Sequence, residues 1–158
     1  MNESLRPMPA PRLGEMGLEN FAPYLMNRIM GRYNESLRTE MAEIGLTTPK
    51  MRTLAVLSVI DGLHISQLAV YSVVEQSTLS RTLDALGAEG LVRRQADPED
   101  HRATCIQITD GGRAAFERIW PSMARSYARM FTGIDEAERR AFVATLQKIL
   151  MNVRAHPI

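Results

Sequence analysis

Residues 77–112, STLSRTLDALGAEGLVRRQADPEDHRATCIQITDGG, read as a helix, a two-stranded ribbon and the start of a second helix. Leu79, Leu83 and Leu86 recur at i, i+4 and i+7 and give the first of these helices an apolar stripe. Ser77, Thr78, Arg81 and Asp84 take the opposite side, and Gly90 closes the helix. Residues 91–95 and 104–108 alternate as paired strands. On the second strand Ile106 and Ile108 are expected on one face and Cys105 and Gln107 on the other. The turn between the strands is Asp97-Pro98-Glu99-Asp100-His101-Arg102. A helix with hydroxyls and an arginine on its outer side, followed by an arginine-tipped hairpin, suits two adjacent grooves of double-stranded DNA.

The flanking sequence reads as helices. A first helix is expected over residues 20–44, capped by Asn20, with Pro23 in its first turn and Gly45 at its end. Its apolar positions Leu18, Phe21, Leu25, Ile29, Leu37, Met41 and Ile44 keep helical spacing. A helix of about 25 residues is about 37 Å long, so part of its apolar face is expected to meet another subunit. A second helix starts at Thr48-Pro49, and Met51, Leu54, Val56, Leu57 and Ile60 mark it as buried. Asp61-Gly62 breaks it. A short third helix, residues 65–71, turns Leu68 and Ala69 inward, and a turn near Val73-Val74 leads to Gln76 and the fourth. Thr109-Asp110 caps a fifth, residues 112–130, which Trp120-Pro121 is expected to interrupt. Asp135-Glu136-Ala137-Glu138 opens a sixth, with Phe142, Leu146, Ile149, Leu150 and Val153 as its stripe.

The chain has 158 residues, 45% of them hydrophobic, enough for one domain with helical extensions. No apolar run approaches the ~18 residues needed to span a bilayer. Residues 1–17, with Pro7, Pro9 and Pro11, read as a flexible arm rather than a signal peptide or anchor. A cytoplasmic protein is expected, and the single Cys105 fits a reducing compartment. Net charge is +1, and across residues 76–102 Asp84, Glu89, Asp97, Glu99 and Asp100 outnumber Arg81, Arg93, Arg94 and Arg102. A DNA footprint must therefore come from where the arginines point. An enzyme is excluded on chemistry. His64, His101 and His156 lack metal-ligand spacing, and neither a phosphate-binding glycine loop nor a nucleophile elbow is present. Asp97, Glu99 and Asp100 read as a solvated hairpin tip. No metal and no cofactor are expected.

In element order and in four short segments the chain resembles the MarR family of winged-helix transcriptional regulators. The segments are Leu68-Ala69, residues 77–81 with Leu86 and residues 90–94, the turn at residues 97–102, and residues 106–109 with Gly112. The resemblance implies a mainly α fold: a winged helix-turn-helix at residues 47–111, with a two- to three-stranded wing. A helical dimerisation region at residues 18–46 and 112–158 completes it. It also implies that Arg102 enters a minor groove and that Asp100, two residues earlier, braces the wing. The sequence departs from the family pattern at four places. His101 stands where arginine or lysine is usual, His64 where Ser or Thr caps the third helix, Ser72 at an apolar site and Val73 at a glycine turn. A β-branched residue tolerates positive φ poorly, so the turn at Val73 is expected to take another backbone path.

The candidate DNA-binding residues are Gln76, Ser77, Thr78, Ser80, Arg81, Arg94, Asp100, His101 and Arg102. Hydroxyls at a helix start can donate to phosphate, and Arg81 reaches phosphate or a guanine edge. A narrow A·T minor groove favours an arginine such as Arg102. Met30, Tyr33, Met51, Trp120 and Met123 are candidates for a pocket holding a small aromatic or amphipathic effector. Leu18, Phe21, Leu25, Phe142, Leu146 and Ile149 are candidates for the dimer interface. Cys105 reads as a packed thiol rather than a redox switch. These expectations combine into a homodimer on a pseudo-palindromic double-stranded DNA site, a transcriptional repressor released by a ligand. A winged helix that binds protein, or a ligand-binding dimer with little DNA affinity, are the alternatives from the residues alone.

Overall fold

The structure is a computed structural model that describes residues 10–158. It comprises two compact units, one ending at Ser36 and the other beginning at Leu37. Residues 1–9 of the expected arm lie outside the described residues. Within the rest of that arm Leu13–Met16 form one helical turn, α1, in which the backbone N–H of Arg12 donates to Glu15 Oε2 at 3.1 Å. A 3-10 turn, Leu18–Asn20, and most of α2, Ala22–Glu43, complete the first unit. Asn20 does not cap α2 as expected. Its amide donates back to Met16 O at 2.8 Å, which ties it to the preceding turn. Gly45, at φ 70°, ends α2, and Leu46 N donates to Met41 O at 2.8 Å across it.

In the second unit, α3 (Thr48–Val59) is capped by Thr47, one residue before the expected position, with Pro49 still in the first turn. Met51, Leu54 and Leu57 are buried, while Ile60, just past the end of the helix, is exposed. α4 (Ile65–Ser72) and α5 (Gln76–Ala88) pack with α3. Leu79, Leu83 and Leu86 of α5 are buried as their spacing demands. Each such leucine contributes about 1.5–3 kcal/mol.

The turn between α4 and α5 overturns one expectation. Val73 does adopt the left-handed conformation, φ 53° and ψ 49°, the position the family gives to glycine. Val74 N donates across it to Ala69 O at 3.1 Å, and Arg52 Nη1 donates to Val73 O at 3.3 Å. Those bonds hold a conformation that valine alone disfavours. Ser72 is buried and donates to Leu68 O at 2.6 Å, so its hydroxyl is satisfied within the helix at a usually apolar site.

The wing is a three-stranded antiparallel sheet in the order β1-β3-β2: β1 Leu63–His64, β2 Val92–Ala96 and β3 Thr104–Ile108. Leu63 pairs with Ile106 and His64 with Cys105, while Val92 pairs with Ile108 and Ala96 with Thr104. Cys105 is buried beside Ile106 and Ile108. Cys105 is the packed thiol its sequence position suggested, because His64 and Asp97 close over its face of β3.

α6, Asp110–Met130, runs unbroken through Pro121, contrary to the expected interruption. The neighbouring turns keep their own bonds, so the loss of a single N–H donor does not end the helix. Thr109 fastens its start: Oγ1 accepts from Gly112 N at 3.0 Å and donates to Gly90 O at 2.6 Å. α7, Glu136–Val153, is capped by Asp135, which accepts from Glu138 N at 2.8 Å. No residue of α7 is buried. Among the described residues no helix is long and apolar enough to cross a membrane.

Candidate nucleic-acid interface

α5 presents two faces. Its leucine stripe seats the helix in the core, and that seating turns Gln76, Ser77, Thr78, Ser80 and Arg81 outward, where all five are exposed. Glu75 precedes the helix without capping it through its side chain, so the first-turn N–H groups stay open toward solvent. The wing tip is equally exposed at Asp100, His101 and Arg102.

Pairing within the protein offsets part of the charge imbalance raised by composition. Asp84 is bound by Arg94, Nη2 to Oδ1 at 2.8 Å. Glu89 is bound by Lys50, and Asp97 by His64 at 2.6 Å. Among the described residues the Arg81 and Arg102 guanidiniums, by contrast, have no ion-pair or hydrogen-bond partner. Their charge is directed at solvent. Arg94, a candidate phosphate contact, is already committed to Asp84, and Arg93 donates through Nε to Gln107 Oε1 at 2.9 Å.

The wing turn is built by two aspartates. Asp100 Oδ1 accepts from Arg102 N at 3.0 Å and its carbonyl from Ala103 N at 2.9 Å, which shapes the tip. Asp97, which the sequence placed on a solvated tip, is largely covered and does more. Its Oδ1 accepts from Glu99 N at 2.7 Å and Asp100 N at 3.3 Å. Its Oδ2 meets His64 Nε2 at 2.6 Å and Cys105 Sγ at 3.5 Å. The Glu99 N–H, followed by His64, lowers the Asp97 carboxyl from 3.8 to about 2. Burial, then the neighbouring carboxylate, pushes the Cys105 thiol up. Asp61 is a further brace the sequence did not single out. Its Oδ1 accepts from Ile108 N at 2.9 Å, and Arg113 Nη2 reaches its Oδ2 at 3.4 Å.

An open cleft of about 440 Å³ lies between α3 and α6, lined by Ser58, Val59, Arg113, Phe116, Trp120 and Met123 among others. It brings together two of the expected pocket residues, Trp120 and Met123. Met51 is instead core, because it sits on the inner face of α3. Tyr33 is half-buried and Met30 exposed, both in the other unit. Arg113 and Phe116 were missed. Phe116 stands one turn before Trp120, with ring centroids 6.1 Å apart, a spacing the sequence could have shown. Of the expected dimer residues, Leu18, Phe21, Leu25, Phe142 and Ile149 are exposed and Leu146 is half-buried.

A sequence profile of the MarR family matches residues 44–103, from the end of α2 through the wing tip. A MarR-family transcriptional regulator from Silicibacter pomeroyi, known from a crystal structure, is 57% identical. It superposes with a TM-score of 0.89 over 94% of this chain and 100% of that one. The HTH-type transcriptional repressor IacR of Pseudomonas putida is 27% identical over 143 residues, 90% of this chain and 86% of its own length. The transcriptional repressor CouR, from Rhodococcus jostii RHA1, has been solved on a 23-mer DNA duplex. It shares 26% identity and a TM-score of 0.71 over 89% of this chain and 99% of that one. This chain belongs to the MarR family of winged-helix transcriptional regulators and is a DNA-binding regulator rather than an enzyme.

Proposed function

We propose that this chain acts as a homodimer that reads a pseudo-palindromic DNA site and represses transcription until a small ligand releases it. The observation that carries the reading is the pairing pattern around α5 and the wing. Asp84, Glu89 and Asp97 there are bound within the protein, while Arg81 and Arg102 face solvent without a partner. In this reading Gln76, Ser77, Thr78 and Ser80 meet phosphates and base edges at the start of α5, and Arg81 reads a phosphate or a guanine. Arg102 enters the minor groove, with Asp100 holding the tip and His101 beside the backbone. Arg94 has a second role, bracing the wing against α5 through Asp84. Two α5 helices in a dimer would occupy major grooves about one turn, ~34 Å, apart.

The apolar outer faces of α2 and α7 support a dimer, because exposed leucine, isoleucine and phenylalanine at helical spacing call for a partner. The names of IacR and CouR, both repressors, support repression. The α3–α6 cleft supports an effector: Phe116 and Trp120 offer aromatic surface for a small aromatic or amphipathic molecule, while Arg113 in its lining is already paired with Asp61. The test is binding to DNA from the region upstream of its own gene, against random DNA, at two salt concentrations. Preference for the specific DNA, lost steeply with added salt, is the expected result. Equal affinity for both DNAs, on that fragment and in a genome-wide selection, overturns sequence-specific reading.

A further inference from the structure

We propose that His64, Asp97 and Cys105 form a binding site for a thiophilic divalent metal ion, Zn2+ or Co2+, at the root of the wing. The three side chains come from three chain segments: the β1 strand, the first residue of the wing turn, and the central strand β3. Their donor atoms lie within 4.8 Å of one another. Imidazole and thiol converge on the same oxygen, Asp97 Oδ2, at 2.6 and 3.5 Å. Tetrahedral zinc, with bonds of about 2.0 Å to N and O and about 2.3 Å to S, holds its ligands about 3.3–3.5 Å apart. Small side-chain rotations therefore suffice to seat the ion.

The outer partners are also in place. Asp97 Oδ1 is held by two backbone N–H groups, which fixes the carboxylate and leaves Oδ2 for the ion. His64 is fixed by its pairing with Cys105 in the sheet and by the bond from its own N–H to Gln67 Oε1 at 3.1 Å. The donor set selects the metal. One nitrogen, one sulfur and one carboxylate oxygen suit zinc or cobalt and not the all-oxygen preference of calcium or magnesium. His64 is 40% exposed at its side chain, which gives the ion a way in and leaves a fourth position for water. Without metal, the ring N–H and the thiol can both donate toward Asp97. On binding, the thiol proton is released to solvent and the ring hydrogen resides on Nδ1, so each ion releases one proton. The bound ion would tie the wing turn to β1, directly before α4.

The test uses the full, tag-free chain, stripped by chelator and kept reduced, titrated with Co2+. One ion per protomer is expected, with a thiolate-to-cobalt band in the near ultraviolet, tetrahedral visible bands, and bleaching by Zn2+. Cys105→Ala should abolish the near-ultraviolet band, and His64→Gln should weaken binding by more than about tenfold. Circular dichroism checks each fold. If the buried cysteine cannot be replaced without unfolding, the half-exposed His64→Gln variant decides. Absence of the charge-transfer band, or Co2+ binding unchanged in His64→Gln, overturns the site and assigns the ion to the other histidines. The readout is metal alone, so it stands apart from DNA binding.

Discussion

Asp97 satisfies four donors at the point where β2 turns into the wing tip, so its charge state is coupled to the wing's shape. Its folded value, about 2, lies below the ordinary 3.8. The stabilisation it gives is therefore complete above 3.8 and is lost as the pH falls through about 2. Asp97→Asn should unfold at lower urea than wild type at pH 7, and the gap should close as the pH approaches 2. A gap that stays constant across that range would deny the carboxylate its ionic role. Val73 is strained for a different reason. A non-glycine residue in the left-handed region costs on the order of 1–3 kcal/mol, and glycine returns about 0.5–1 kcal/mol of that through the freer unfolded chain. Val73→Gly should therefore raise stability, by up to about 2 kcal/mol. Thermal unfolding checks this, and a lower midpoint would mean that the exposed valine makes contacts worth more than its strain. In the proposed DNA complex, variants at Arg81 and Arg102 should separate base reading from groove reading. Arg81→Ala should cost about 1–3 kcal/mol on a specific site and much less on random DNA if it reads a base. Arg102→Ala should weaken binding mainly where A·T pairs flank the site. Equal losses on all DNAs would make both arginines phosphate contacts.

The start of α6 is fixed by a close approach. A Cβ added at Gly112 would lie 2.1 Å from the carbonyl oxygen of Leu91 and 2.7 Å from Ile108 Cγ1, so backbone must move to admit it. Gly112→Ala should cost about 1–3 kcal/mol despite alanine's better helix propensity. Denaturant unfolding measures the loss, and a stabilised variant would show that the helix can slide away from β2. This glycine was legible in the sequence as part of the resemblance, but its reason was not, because Leu91 lies 21 positions away. The same division runs through the fold. The stripe of α5, the strands and the cap of α7 rest on neighbours a few positions apart and could be read directly. So could the outward face of α5, which is simply the complement of Leu79, Leu83 and Leu86. Asp97 with His64, Asp61 with Ile108 and Arg94 with Asp84 join separate elements, and no local pattern announces them. Pro121 misled because a proline can sit inside a long helix whose flanking turns are sound. Methionine spacing could not tell the core, where Met51 lies, from the cleft, where Met123 lies.

Assembly follows from what the protomer leaves uncovered. α7 is 18 residues long and buries none of them, although Phe142, Ile149, Leu150 and Val153 keep helical spacing. A helix with this pattern draws its stability from packing rather than from propensity. In an isolated protomer Leu150, 60% exposed, could be replaced at little cost, since exposed substitutions away from special features change stability by about 0.5 kcal/mol or less. In a dimer built on this face the same change sets a charge into an apolar interface. Leu150→Asp, with Ile149→Asp as its companion, should therefore convert the protein to a monomer in sedimentation equilibrium. DNA affinity should fall with it, by about 10²–10⁴-fold, because a monomer engages one half-site and forfeits the high effective concentration of the second. Free Arg81 and Arg102 on each protomer would still give weak binding that falls with salt, with roughly half the dimer's slope. A variant that stays dimeric and keeps full affinity would place the dimer contact on another face. A monomer with undiminished affinity would show that one winged helix reads the site alone.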